Sequence, residues 1–108
     1  MAIFRITKGD TIPVLSATLS HNGVAVANGD VDTATFVFAQ VDGDRFERAA
    51  TNTGAGGIFT YTFEATDWVD GQFDVGRYDF EAVLDMVGGA QATYPSHTTK
   101  AIEVKRAL

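Results

Sequence analysis

Apolar and polar positions alternate with a period of two along almost the whole chain, and Gly, Asn and Asp interrupt the alternation at short intervals. Ile3 to Thr7 reads as a first short strand, closed by Lys8-Gly9-Asp10. Ile12 to Ser20 follows, with Leu15, Ala17 and Leu19 on one face and Ser16, Thr18 and Ser20 on the other. Asn22-Gly23 is a hairpin signal leading into Val24-Ala25-Val26, and Asn28-Gly29-Asp30 ends that run. Thr33 to Val41 is apolar enough on both faces to be a central strand, with Phe36 and Phe38 as the inward pair. Asp42-Gly43 marks a second hairpin, into Arg45-Phe46-Glu47-Arg48, and Thr53 to Gly57 reads as a flexible glycine-rich loop.

The second half repeats the pattern. Ile58 to Glu64 alternates, with Phe59, Tyr61 and Phe63 on one face. Thr66 to Asp70 has room for one helical turn, capped by Thr66 or Asp67. Tyr78 to Val87 is a long strand turned by Gly88-Gly89 into Gln91 to Tyr94; Pro95 then breaks the ladder, and Thr99 to Lys105 closes the sheet. Asp74-x-Gly76-x-Tyr78-x-Phe80 matches the tyrosine-corner layout, with Phe80 where such domains often carry cysteine. Tyr78 is expected to bury its ring and bond a backbone group upstream, worth about 1 kcal/mol net. An absent disulfide forgoes roughly 2–4 kcal/mol, which burial of the Phe80 ring offsets in part or whole. The structural corner is therefore Gly76, Tyr78 and Phe80. Seven or eight short strands with frequent turns predict one all-β domain over residues 1–108, an immunoglobulin-like antiparallel β-sandwich.

Composition narrows the function more than it defines it. At 108 residues, 45% hydrophobic and 20% charged, the chain suits a single globular core. Its net charge of −6 works against nucleic-acid binding and against docking on anionic lipid. No cysteine means no disulfide, thiol nucleophile or cysteine-held metal, which fits folding in a reducing cytoplasm, although secreted bacterial proteins can also lack cysteine. Neither a leader-like apolar segment after Met1 nor a bilayer-length apolar run is expected.

Tests for chemistry return bland readings. His21 and His97 sit in turn-like sequence without ligand spacing, so no metal is expected. Asp30-Val31-Asp32 and Asp42-Gly43-Asp44 lack the remaining oxygen ligands of a calcium loop. Gly54-Ala55-Gly56-Gly57 has neither the Lys-Ser/Thr nor the helix that a phosphate loop needs. Asp79 and Glu81 share the solvent face of a strand, where carboxylates make poor general acids. No catalytic residue and no cofactor are assigned, and the protein is expected to be no enzyme. Trp68 would plug the end of the sandwich if buried, or offer a partner contact or sugar platform if exposed; its acidic flanks Asp67 and Asp70 leave it half wet, with the plug preferred.

In order along the chain, Gly9-Asp10-Thr11-Ile12-Pro13, Ala17-Thr18-Leu19, Thr35-Phe36-Val37-Phe38, Tyr61 followed by Asp67, Gly76-Arg77-Tyr78 with Glu81, Tyr94-Pro95 and Ile102-Glu103-Val104 form a set. With them the chain resembles the immunoglobulin-like N-terminal domain of tailed-bacteriophage upper baseplate proteins and related small phage structural proteins. The resemblance implies a non-enzymatic virion component, without cofactors, that packs against other virion proteins in many copies. Further domains follow in those relatives, whereas this sequence ends at Leu108, so a standalone tail or baseplate subunit or a capsid decoration (cement) protein is expected. Candidate partner contacts are Phe4, Trp68, Tyr94, Lys105, Arg106 and Leu108. The alternatives are a carbohydrate-binding or adhesive surface module and an assembly factor absent from mature particles.

Overall fold

The computed structural model describes residues 3–21, 23–40, 43, 45–69, 72–95 and 101–106. Strands are β1 (Ile3–Thr7), β2 (Leu15–Thr18), β3 (Ser20–His21), β4 (Val24–Ala25), β5 (Val31–Ala39), β6 (Arg45–Ala49), β7 (Thr51–Asn52), β8 (Ile58–Tyr61), β9 (Gly76–Met86), β10 (Gln91–Pro95) and β11 (Ala101–Lys105). Eight of them have four or more residues, and β3, β4 and β7 are two-residue segments. The larger sheet runs β1-β11-β9-β5-β6, with β10 also on β9; a second sheet runs β2-β8-β7, and β3 and β4 form a hairpin. The fold is an all-β sandwich, as the alternation predicts.

Its pairing is not antiparallel throughout. β1 lies parallel to β11, Ile3 beside Ala101 and Thr7 beside Lys105, so the larger sheet is mixed. β10 and β11 share one flank of β9: Pro95 faces Glu81 and Ala101 faces Asp79. An unbroken ladder would bring residue 97 to that second position, so the chain carries four extra residues between the two halves. Pro95, which cannot donate to a ladder, stands at the break.

The inward faces follow the expected periodicity. Leu15, Ala17 and Leu19 of one layer and Phe59 of β8 meet Phe36, Phe38, Tyr78, Phe80, Ala82 and Leu84 of the other, all buried. Phe80 takes the place of the missing bridge as a packing group, edge-on to Phe36 at 4.9 Å and tilted on Phe38 at 5.3 Å between centroids. The Tyr78 hydroxyl accepts from Asp74 N–H at 2.9 Å and donates to Asp74 C=O at 3.0 Å, closing the corner on a residue four positions upstream. Asp79 and Glu81 are exposed on the opposite face of β9.

Three local expectations need correction. The second strand begins at Leu15 rather than Ile12, since Pro13 cannot join a ladder as donor. The helical turn is a 3₁₀ turn, Ala65–Trp68, and its cap is neither Thr66 nor Asp67 but Glu64, in a reciprocal box whose other half is Asp67. The glycine-rich loop is tied down. Gly57 N–H donates to Asn28 Oδ1 at 2.8 Å, Gly54 N–H to Asn52 Oδ1 at 2.8 Å, and the Thr53 hydroxyl to Ile58 C=O at 2.7 Å. Of the hairpin residues, Asn22, Asp42 and Asp44 lie outside the described residues, while the strands flanking them pair as expected.

Candidate functional site

The body spans 43 × 26 × 25 Å, and the strand registers sort most of the loops into two ends. One end collects the segments after β1, after β8 and before β9, together with Lys105 and Arg106. The other holds the β3–β4 hairpin, the 3₁₀ turn Asn28–Asp30, the 53–57 loop and the turn after β9.

Between β6 and the 3₁₀ turn that follows β8, a polar cluster is built into the wall. Asp67, buried in the 3₁₀ turn, accepts from Arg48 Nε at 2.8 Å, from the Tyr61 hydroxyl at 2.5 Å and from Glu64 N–H at 2.9 Å. β6 supplies Arg48 beside Phe46, and the guanidinium lies 5.6 Å from the Phe46 ring centre and 5.1 Å from that of Phe73. It also donates to Gln72 Oε1 at 2.6 Å and Glu47 C=O at 3.0 Å. The Tyr61 phenol is pushed well above the usual tyrosine range, first by burial and then by its bond to the Asp67 carboxylate. A shallow depression opens over this cluster, lined by Arg48, Glu64, Thr66, Val69 and Gln72. Its charged groups are turned on one another, so the arrangement acts as a strut that locks the 3₁₀ turn to β6.

A second polar cluster lies at the far end. Buried Asn28 donates to Asn52 Oδ1 at 2.7 Å, and Asn52 returns a bond to Asn28 C=O at 3.0 Å. Here the backbone comes closest. A Cβ on Gly57, at φ +70°, would lie 2.5 Å from Leu19 C=O and 3.0 Å from Val26 N.

The sequence-predicted contact residues scatter. Phe4, Trp68 and Tyr94 are half-buried and packed against the core rather than presented on open faces. Trp68 stacks on Phe63 at 5.2 Å and donates its indole N–H to Asp10 C=O at 2.9 Å, the geometry of a plug. Phe4 stacks on the other side of the same neighbourhood, 6.2 Å from Phe63. Lys105 and Arg106 are exposed and line a shallow groove with Val75, Gly76 and Arg77. Leu108 and His97 lie outside the described residues. Among the described residues, no three or more His, Cys, Asp or Glu side chains converge as a metal site would require.

Sequence reasoning missed Arg48, Asn28 and Asn52. Only the Tyr61–Asp67 spacing hinted at the first cluster. The pairs in the second are 24 residues apart, beyond any local pattern. Neither a family model, a curated protein nor a solved structure matches the chain.

Proposed function

We propose that this chain is a non-enzymatic structural protein of a tailed-phage virion, a small baseplate or tail subunit or a capsid decoration protein, held by repeated protein–protein contacts. The observation that carries the reading is how the polar side chains are spent. The buried ones, Asp67 and Asn28, fasten loops to strands, and no buried side-chain N or O among the described residues lacks a partner. Such a body is rigid and keeps its surface free for packing. A contact of about −4 kcal/mol corresponds to millimolar affinity, yet repetition across a symmetric particle makes it firm. The alternative, a sugar-binding module, wants aromatic rings on an open face, and Trp68 and Tyr94 lean on the core instead. Quantitative mass spectrometry of purified particles is the test. The protein should be present in stoichiometric copy number, and its absence from them overturns the reading.

A further inference from the structure

Seven large apolar side chains are exposed among the described residues, and every one lies at an end of the sandwich. Ile12, Val14, Val69 and Val75 are at the Lys105 end; Val24, Ile58 and Val87 are at the other. The outward sheet faces instead carry charged and small residues, such as Arg45 and Glu47 on β6 and Asp79 and Glu81 on β9. Soluble surfaces place apolar groups singly and at random, whereas segregation to particular patches marks contact sites.

Charge is segregated along the same axis. The corner where β1, β11 and β9 meet holds five of the chain's eight Lys and Arg residues: Arg5, Lys8, Arg77, Lys105 and Arg106. Arg5 and Lys8 are spoken for by Glu103 and Asp74. Arg77, Lys105 and Arg106 make no salt bridge among the described residues and flank Val75 in the shallow groove, whose lining also includes Glu103. At the opposite end of the same strand β9 stand Asp30, Asp32 and Asp85, with no cation among the described residues there. Val87 is tied to them, since its N–H donates to Asp30 C=O at 2.8 Å. Each end of β9 therefore offers an exposed valine beside an excess of one charge: basic at Val75, where Glu103 and Asp74 are bonded to Arg5 and Lys8, and acidic at Val87.

We infer that copies of this chain stack end to end along the β9 direction, the Val75–Arg77–Lys105–Arg106 corner of one copy seating on the Val87–Asp30–Asp32 corner of the next. The contact is heterologous, since the two surfaces differ, and so propagates as a ring or a filament. An end face of 26 × 25 Å is below the roughly 800 Å² per partner of a standard interface, so each contact is weak and the assembly depends on repetition. The inference rests on the structural-protein reading and names its partner as another copy of the same chain.

Sedimentation velocity over a concentration series tests it, at about 0.01 M and about 1 M ionic strength, where the screening length falls from about 30 Å to about 3 Å. Association should appear at low salt and vanish at high salt. Two variants, Lys105→Glu with Arg106→Glu and Asp30→Lys with Asp32→Lys, should each lose association at least about tenfold. Mixing them should restore it, because native ends then meet. Circular dichroism and melting curves confirm that each variant is folded, and Val87→Asp gives a second, charge-independent probe that should also weaken the contact. A wild-type protein that stays monomeric at low salt overturns the inference, as does a mixture that fails to recover. Either result leaves particle stoichiometry standing as the separate test of the virion reading.

Discussion

Replacing Asp67 by Asn keeps the shape of the side chain and removes its charge, which isolates what the Arg48–Asp67 cluster contributes. The carboxylate serves three donors, Oδ1 taking Arg48 Nε and Oδ2 taking both the Tyr61 hydroxyl and Glu64 N–H. An amide has one acceptor oxygen. One rotamer aims its NH₂ at the Arg48 guanidinium, and the other aims it at Glu64 N–H; only the Tyr61 hydroxyl can turn to accept. Removing one partner of a buried ion pair costs about 3–5 kcal/mol. The Arg48 side chain keeps 22% exposure, so the loss should sit at the low end, about 3 kcal/mol. For 108 residues, an unfolding entropy of about 2.1 cal/mol/K per residue gives about 0.23 kcal/mol per degree at the midpoint. Tm should then fall by about 13 °C. Differential scanning calorimetry reads this directly, and a double-mutant cycle with Arg48→Met separates the pair from its surroundings. A change under about 0.5 kcal/mol, the level of an ordinary surface substitution, would refute the strut.

Tyr78→Phe removes the hydroxyl that bridges both backbone groups of Asp74 and should cost about 1–2 kcal/mol in chemical denaturation, while end-to-end association is unchanged. Gly57→Ala should lose at least about 2 kcal/mol, because left-handed backbone and a contact with Leu19 C=O add together. Gly54→Ala, also at positive φ but with open space around it, should lose only the conformational part, and equal losses in the two variants would remove the close-approach argument. The Asp74 carboxyl is held below its ordinary 3.8 by the Lys8 ammonium bonded to it and by Val75 N–H. A depressed folded value stabilises above the unfolded pKa and loses that effect as pH falls through the folded one. In Lys8→Met, a carboxyl-detected NMR titration should find Asp74 moved up toward 3.8; an unmoved midpoint would show that the ion pair does not form in solution.

What the sequence discloses is what repeats at short range. Period-two alternation places Phe36, Phe38 and Phe59 indoors, and the spacing of Asp74, Gly76 and Tyr78 encodes a corner whose bonds span only four residues. Legibility fails where a contact joins distant segments. The parallel pairing of β1 with β11 links residues 98 apart through Arg5 and Glu103, and no alternation reports strand direction. Asn28 reads as a turn residue, and becomes the peg of the 53–57 loop only once β4, β7 and β8 converge. The acidic flanks of Trp68 pointed to its half-burial, but that of Phe4 and Tyr94 was hidden for a related reason. Each caps the edge of a core whose outline depends on the loops around it.

Trp68 is the only indole in the chain, and it sits against Phe63 while its N–H reaches Asp10. That makes it an intrinsic fluorophore for one pole of the molecule. Loosening of the loop after β1 would free the ring into water and shift its emission to the red, while the Asn28 pole would stay silent in the same spectrum. Opening at the two poles can thus be timed apart, with tryptophan fluorescence for one and amide exchange at Gly57 for the other, without adding a label.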